Sequence, residues 1–286
     1  MTIQEALKSA IDQLKSTSTS PSLDAEVLLA FVLKKDKKFL YMNPHKILVR
    51  TYVRTFKKLI SRRIQGWPVA YLTGGKEFFG LKFKVNKDVL IPRPETETLV
   101  ELVIKGLRGK GKGLRILDIG TGSGCVIISL AKNFTLNPEP LPLYFASDIS
   151  KKALRVAKQN AKRHKVRITF KQGGLLIPWK KQKFDIIVAN LPYLPKLIDP
   201  HTKFEPKKAL LAKKNGLALI EKLLQQISSL TPHPSSLFLE FDPSQSKQIK
   251  KLAKKILPVY GSKIYKDLSG KKRFMTLSLL SQPSQA

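Results

Sequence analysis

The residues with the most chemical content lie in FDIIVANLPYLP, Phe184 to Pro195. Four apolar residues, Ile186 to Ala189, run into Asn190, and Leu191, Pro192, Tyr193, Leu194 and Pro195 follow. The side-chain oxygen of Asn190 and the backbone carbonyl of Leu191 are both acceptors. Together they can take the two hydrogens of one NH2 group, fix its plane and leave the nitrogen lone pair aimed outward. Tyr193 can cover one face of such a flat group. An amide or exocyclic amine is a poor nucleophile because its lone pair is delocalised. What a protein can add is orientation and electrostatic support for charge developing on nitrogen. Taken alone, Asn before a proline-containing loop is common turn chemistry.

A second group gives the first its context. RILDIGTGSGCVIISLA, from Arg115, has the pattern of a strand, a glycine loop and a helix. Gly120, Gly122 and Gly124 permit close backbone approach to a ligand, with Thr121 and Ser123 between them. A dinucleotide fingerprint requires G-x-G-x-x-G. Here Cys125, a small packing residue, occupies the last position, and the pattern is G-x-G-x-G preceded by Asp118. This spacing resembles the S-adenosylmethionine loop of Rossmann-like methyltransferases. Asp148, in FASDIS, ends the next strand, where a carboxylate can accept both hydroxyls of an adenosine ribose. It lies further downstream than the roughly 20 residues of a NAD site, and the proline-rich stretch 133–142 accounts for the excess. The other reading of Asp148 is a helix cap before Lys151.

The elements that must position these residues follow from periodicity. Residues 1–73 read as a small helical bundle. Ile3, Ala6, Leu7, Ala10, Ile11 and Leu14 recur at helical spacing. Ser22 or Asp24 is placed to cap a second helix holding Ala25, Leu28, Leu29 and Val32, and a third helix is expected over 47–65. Residues 74–92 read as a β-hairpin linker, with Phe79, Leu81, Phe83 and Val85 alternating and Gly80 and Asn86-Lys87 as turn residues. Residues 93–286 read as the catalytic domain. It starts with a helix over 96–105 and a loop over 106–113. Strands are expected at 115–119, 143–147, 167–170, 185–189, 236–241 and 274–280. Helices are expected at 123–132, 151–164, 217–230 and 244–256. Such alternation predicts a doubly wound α/β sheet, with the tail 281–286 frayed.

Bulk composition narrows the class. The chain has 286 residues and is 42% hydrophobic, enough for one large domain and a small one. No apolar run approaches the roughly 20 residues that span a bilayer, and the N-terminus lacks the apolar core of a signal peptide. A cytoplasmic protein without membrane contact is expected. With one cysteine, Cys125, there is no intramolecular disulfide and no cysteine-based metal cluster, and the four scattered histidines suggest no metal site. The 53 basic and 20 acidic residues give a net charge of +33. That charge is spread along the chain. It suits contact with RNA, the ribosome or an acidic protein, and it equally suits a lysine-rich composition on solvated faces.

Three further stretches carry a resemblance: GWPVAYLTGGKEFFG, LIPRPETE and KFEPKKAL. With NLPY, which is similar to the N-P-P-Y of amino-group methyltransferases, they resemble the peptide-chain release factor glutamine methyltransferases (the PrmC/HemK family) from about residue 3 to residue 280. The resemblance implies a Rossmann-like S-adenosylmethionine-dependent methyltransferase domain preceded by a helical substrate-binding domain. It implies methyl transfer to the side-chain amide nitrogen (N5) of the glutamine in the Gly-Gly-Gln motif of class I release factors, with S-adenosylhomocysteine as the second product. It carries over Gly120 to Gly124 and Asp148 as cofactor contacts, and Asn190, Leu191, Pro192 and Tyr193 as the glutamine clamp. Asn190 also borders the cofactor, and Leu175 is expected to pack on its adenine ring. A monomer is expected.

The sequence departs from the family in three places. Leu191 replaces the first proline, Gly174 replaces an acidic residue near the adenine, and EFDPSQ replaces a Glu-x-Gly. Ribosomal RNA adenine dimethyltransferases share an NLPY-like motif, but place their helical domain after the glycine loop. An enzyme methylating a glutamine of a ribosomal protein shares the layout with a different linker. A non-catalytic basic RNA-binding module on the same fold is the reading outside enzymes.

Overall fold

The computed structural model describes residues 1–107, 113–133, 141–197 and 202–280. The expected loop over 106–113 lies partly outside the described residues, as does the proline-rich stretch over 133–142; the tail 281–286 lies wholly outside them. The chain divides into two compact units. The first holds Met1–Gly75 together with the stretch Ile198–Phe204, of which 202–204 are described. The second holds Lys76–Leu197 and Glu205–Ala286.

The first unit is helical. Helix α1 (Ile3–Leu14) opens with a capping box between Thr2 and Glu5 and buries Ile3, Ala6, Ala10 and Leu14. Helix α2 (Pro21–Leu33) starts before either expected cap, because Pro21 is already set for the first helical position. Asp24 is instead buried, accepting from Arg63 Nε at 2.7 Å and from Ser18 Oγ at 2.6 Å. The short α3 (Lys37–Met42), capped by Asp36, was not expected from periodicity. Helix α4 (Arg50–Ile64) begins later than position 47, because Ile47 pairs as an isolated antiparallel bridge with Thr2. A short α5 (Val69–Thr73) follows. Trp67 stacks on Phe204 with ring centroids 4.5 Å apart.

The second unit starts with a hairpin, β1 (Gly75–Phe78) and β2 (Leu81–Lys84). Phe79 is a turn residue, not a strand residue. It and Gly80 both have positive φ, 51° and 69°, as a two-residue primed turn demands. The Phe79 amide donates to Glu97 Oε1 at 2.9 Å, which holds the turn in place. From Lys76 onward the hairpin groups with the second unit, and Asn160 ties it there through Lys84.

Among the described residues the main sheet has seven strands: β3 (Arg115–Ile119), β4 (Leu143–Asp148), β5 (Thr169–Gln172), β6 (Ile186–Asn190), β7 (Ser236–Glu240), β8 (Tyr260–Lys266) and β9 (Lys272–Leu279), in the order β5-β4-β3-β6-β7-β9-β8. The first five are parallel, and β9 runs antiparallel to both β7 and β8. Helices α6 (Glu97–Leu107), α7 (Cys125–Asn133), α8 (Lys151–Arg163), α9 (Ala218–Ser228) and α10 (Ser246–Ile256) complete the doubly wound fold. Alternation along the strands separates two cores. Ile116, Ile186, Val188 and Phe238 join α6 and α7, whereas Leu117, Ile187, Ala189 and Leu237 join α9 and α10. Gly106 continues α6 and was not a loop residue: a Cβ there would stand 2.7 Å from Phe238 Cζ, so the helix can lie close to β7 only without one.

Strand β8 was missed. Its sequence, YGSKIYK, carries glycine, serine and lysines, as suits the sheet edge. Among the described residues, no helix is long and apolar enough to cross a membrane.

Candidate active site

The site follows from sheet register. Ile119 pairs with Ser147 on β4 and with Ala189 on β6, and Ala189 pairs with Leu239 on β7. One residue further, Gly120, Asp148, Asn190 and Glu240 form a row along the carboxyl ends of four parallel strands. Strand β3 is also where the strand order reverses, which is where open α/β sheets bind ligands. The sequence expectations for Gly120, Asp148 and Asn190 thus meet on one rim.

The glycine loop folds back over β4. Gly120 N and Thr121 N both donate to Ser147 O, at 2.8 and 3.0 Å. Gly120 has a φ of +74°, which disfavours any side chain, and a Cβ there would also stand 3.2 Å from Leu191 Cδ2. The side chain that replaces the family's proline is thereby buried against the loop. Above Gly122 (φ +56°) the space is open, with only Gly120 O as near as 4.0 Å. Ser123 and Gly124 lie deeper. Ser123 O accepts from Asn160 Nδ2 at 2.9 Å, and a Cβ on Gly124 would meet Ile128 at 2.9 Å and Ala157 at 3.3 Å. These contacts give Gly124 a role in packing α7 against α8.

Asp148 is not the cap of α8; that role belongs to Ser150, which accepts from Ala153 N at 3.1 Å. The Asp148 carboxylate accepts from Gly122 N at 2.9 Å and from Ser150 N at 2.8 Å. Burial raises its pKa, and the two backbone hydrogen bonds oppose the rise. Each oxygen keeps a further lone pair. Beyond β5, a Cβ on Gly174 would meet nothing within 4 Å, while Leu175 (φ +51°) is buried in the core below. Leu175 therefore offers little surface to a ring. The open glycine loop, the fixed carboxylate and the free space at Gly174 together fit an adenosine-bearing cofactor.

The clamp side holds residues that sequence reasoning did not assign. Asn190 Nδ2 donates to Thr96 Oγ1 at 3.2 Å. Thr96 Oγ1 donates to Glu240 Oε2 at 2.8 Å, and Tyr193 Oη donates to Glu240 Oε1 at 3.2 Å. Thr96 and Glu240 are buried. Burial pushes the Glu240 carboxyl up to about 7, against the pull of the Thr96 hydrogen bond and the Arg273 charge. The Tyr193 phenol is pushed above its ordinary range by burial and then by the Glu240 charge. Asp118, buried beneath the glycine loop and accepting from Thr121 Oγ1 at 2.7 Å, is likewise pushed up to about 7 by desolvation.

A third carboxylate supports the segment that carries Thr96. Buried Glu205 accepts from Ile91 N at 3.1 Å and from Arg93 Nη2 at 2.6 Å. This joins KFEPKKAL to LIPRPETE, two stretches known from the sequence only as similar to a family. Pro192 lies between Leu191 and Tyr193 in the chain. The Tyr193 carbonyl accepts from Gln245 Nε2 at 2.9 Å, so EFDPSQ helps to hold the loop. A sequence signal for Glu240 did exist: SLFLE is a buried strand ending in a carboxylate, as FASD is for Asp148.

Comparison with known proteins agrees with this arrangement. A model of the PrmC N-terminal domain matches residues 5–74, and a model of a methyltransferase domain matches residues 110–276. A release factor glutamine methyltransferase of Coxiella burnetii is 39% identical over 256 residues, 88% of this chain and 90% of the relative. One of Bacillus cereus is 33% identical over 285 residues, 96% of this chain and 98% of the relative. In fold, a solved methyltransferase from Pyrococcus furiosus has a TM-score of 0.50 at 19% identity, covering 70% of this chain and 89% of that one. The relatives match along almost the whole chain, and the chain belongs to the release factor glutamine methyltransferase family.

Proposed function

We propose that this protein transfers a methyl group from S-adenosylmethionine to the side-chain amide nitrogen of the glutamine in the Gly-Gly-Gln motif of class I release factors. The observation that carries the reading is the row of Gly120, Asp148 and Asn190 along one sheet rim, in a chain of this family. Gly120, Thr121, Gly122, Ser123 and Gly124 would line the cofactor with backbone, and Asp148 would accept its ribose hydroxyls. When bound, the cofactor supplies an electrophilic methyl group on a sulfonium.

The chain's own residues prepare the acceptor. Asn190 Oδ1 and the Leu191 carbonyl take one hydrogen each from the glutamine NH2 and hold its plane. Pro192 limits the freedom of the loop after Leu191, and Tyr193 closes over one face. Two oxygen acceptors on the NH2 favour positive charge developing at nitrogen. No strong base is required before attack, because the amide proton becomes acidic only as the nitrogen acquires that charge.

Residues 1–73 would form the helical substrate-binding domain and 93–286 the catalytic domain, with 74–92 joining them as a hairpin that packs, from Lys76 onward, with the second unit. Action in the cytoplasm as a monomer belongs to the same proposal. The charge of +33 supports contact with RNA or the ribosome, to be read from the salt dependence of binding. The deciding experiment supplies labelled cofactor with a release factor, its Gly-Gly-Ala variant and ribosomal RNA. Label on the release factor alone, lost in the variant, is the expected result. Label on RNA would move the reading to an adenine methyltransferase. Absence of both label and cofactor binding would favour a non-catalytic basic module.

A further inference from the structure

An asparagine side chain has two ends of nearly equal shape and opposite hydrogen-bonding character. The clamp works with only one of them outward. If Nδ2 faced the glutamine, donors would meet donors, and the substrate NH2 would lose an acceptor. Something must therefore set the orientation of Asn190 before substrate arrives.

With Glu240 ionised, the hydrogen bonds behind Asn190 have a forced direction. Ionised Glu240 is acceptor-only, and it takes the single hydroxyl proton of Thr96 at 2.8 Å. With that proton committed, Thr96 Oγ1 has only lone pairs left for Asn190. The Nδ2 end alone can meet them, and it does so at 3.2 Å. The other Glu240 oxygen takes the Tyr193 hydroxyl proton, so one carboxylate holds both Asn190 and Tyr193. Thr96 and Glu240 are only 3% and 1% exposed, so water is poorly placed to substitute for either. The 91–96 segment cannot readily drift, because Glu205 binds both Ile91 N and Arg93.

We propose that Thr96 and Glu240 are positioning residues that fix which end of the Asn190 amide faces the substrate. This rests on the proposed role of Asn190 as acceptor for the glutamine NH2. Neither residue touches the reacting atoms in this scheme; both act through Asn190, and Glu240 also through Tyr193.

The test compares Thr96→Val, which keeps the shape and loses the hydroxyl, with Thr96→Ser, which keeps the hydroxyl. Glu240→Gln is the second variant, should the valine fail to fold. Methyl transfer to a release factor is measured as separate kcat and KM values, and cofactor affinity by calorimetry. The expected result is a kcat lowered about tenfold or more in Thr96→Val and Glu240→Gln, nearly unchanged cofactor affinity, and recovery in Thr96→Ser. The side-chain amide NMR signals of Asn190, identified by their loss in Asn190→Ala, should shift in Thr96→Val and return in Thr96→Ser. Turnover within about twofold of the parent in Thr96→Val, or unmoved Asn190 signals, would overturn the proposal. The amide readout needs no substrate. If the parent protein left release factors unlabelled, the proposed function would fail while the orientation of Asn190 was still decided.

Discussion

Gly216 lies against the carbonyl oxygen of Tyr193 so closely that a Cβ on the glycine would intrude on that oxygen and on Gln245 Nε2. Its φ of +87° also disfavours any side chain. The obstacle is mostly backbone, so it cannot rotate away. Gly216→Ala is expected to cost about 1–3 kcal/mol of stability and to displace the clamp loop. Methyl transfer should fall while cofactor affinity stays near the parent value. Denaturant unfolding and calorimetry on the same sample check both halves.

Gly174 is the converse case. It lacks a left-handed φ, and a Cβ there meets only open space. Gly174→Asp should be tolerated, and it would restore an acceptor near the expected adenine. Cofactor affinity is expected to rise about tenfold or more, roughly the worth of one charge-assisted hydrogen bond. Calorimetry showing no gain would place the adenine elsewhere.

Asp148→Ala should weaken cofactor binding about tenfold or more, because it removes the proposed ribose acceptor and frees the Gly122 amide. Asn190→Ala should abolish turnover and leave cofactor affinity nearly intact. Equal losses of turnover and affinity in the asparagine variant would contradict its role in the clamp. An unchanged dissociation constant for Asp148→Ala would remove that residue from the site.

Glu240 and Asp118 are pushed up to about 7, so stability and activity should respond to pH in opposite directions. Thr96, Tyr193, Arg273 and Glu95 are the groups acting on Glu240. Since its folded pKa lies above the unfolded one, the native state holds this proton more tightly. Stability from this source should grow as pH falls from about 7 toward about 4.5, and decline as pH rises through that window. A shift of this size corresponds to roughly 3 kcal/mol. The denaturation midpoint should be higher near pH 5.5 than near pH 8, and Glu240→Gln should reduce the difference, leaving the part that comes from Asp118. Methyl transfer should show an acid limb near 7, because protonated Glu240 no longer dictates the direction of the Thr96 hydroxyl. A denaturation midpoint that rises with pH through the same window would contradict the assignment.

Much of the rim was legible in the sequence because its signals are local. A buried strand that ends in Asp148 or Asn190, and a glycine loop after Ile119, announce themselves within a few residues. What was hidden depended on tertiary partners. Asp24 looked like a helix cap until Arg63 claimed it, and Phe79 looked like a strand residue until its φ placed it in the turn. Thr96 and Glu205 sat in recognisable stretches, yet nothing nearby says what they bind. Strand β8 was masked by the polar residues that suit an edge.

The Thr96–Glu240 bond spans 144 positions of the chain. During synthesis, a ribosome-bound chain can make its glycine loop and first parallel strands while Glu240 is still untranslated. The clamp must wait until β7 has emerged, and contacts of such long separation form late for entropic reasons as well. A nascent copy is thus expected to gain the means of gripping a cofactor before the means of orienting an acceptor. A C-terminally truncated copy ending before β7 would lack the buried acid that is proposed to set the direction of Asn190.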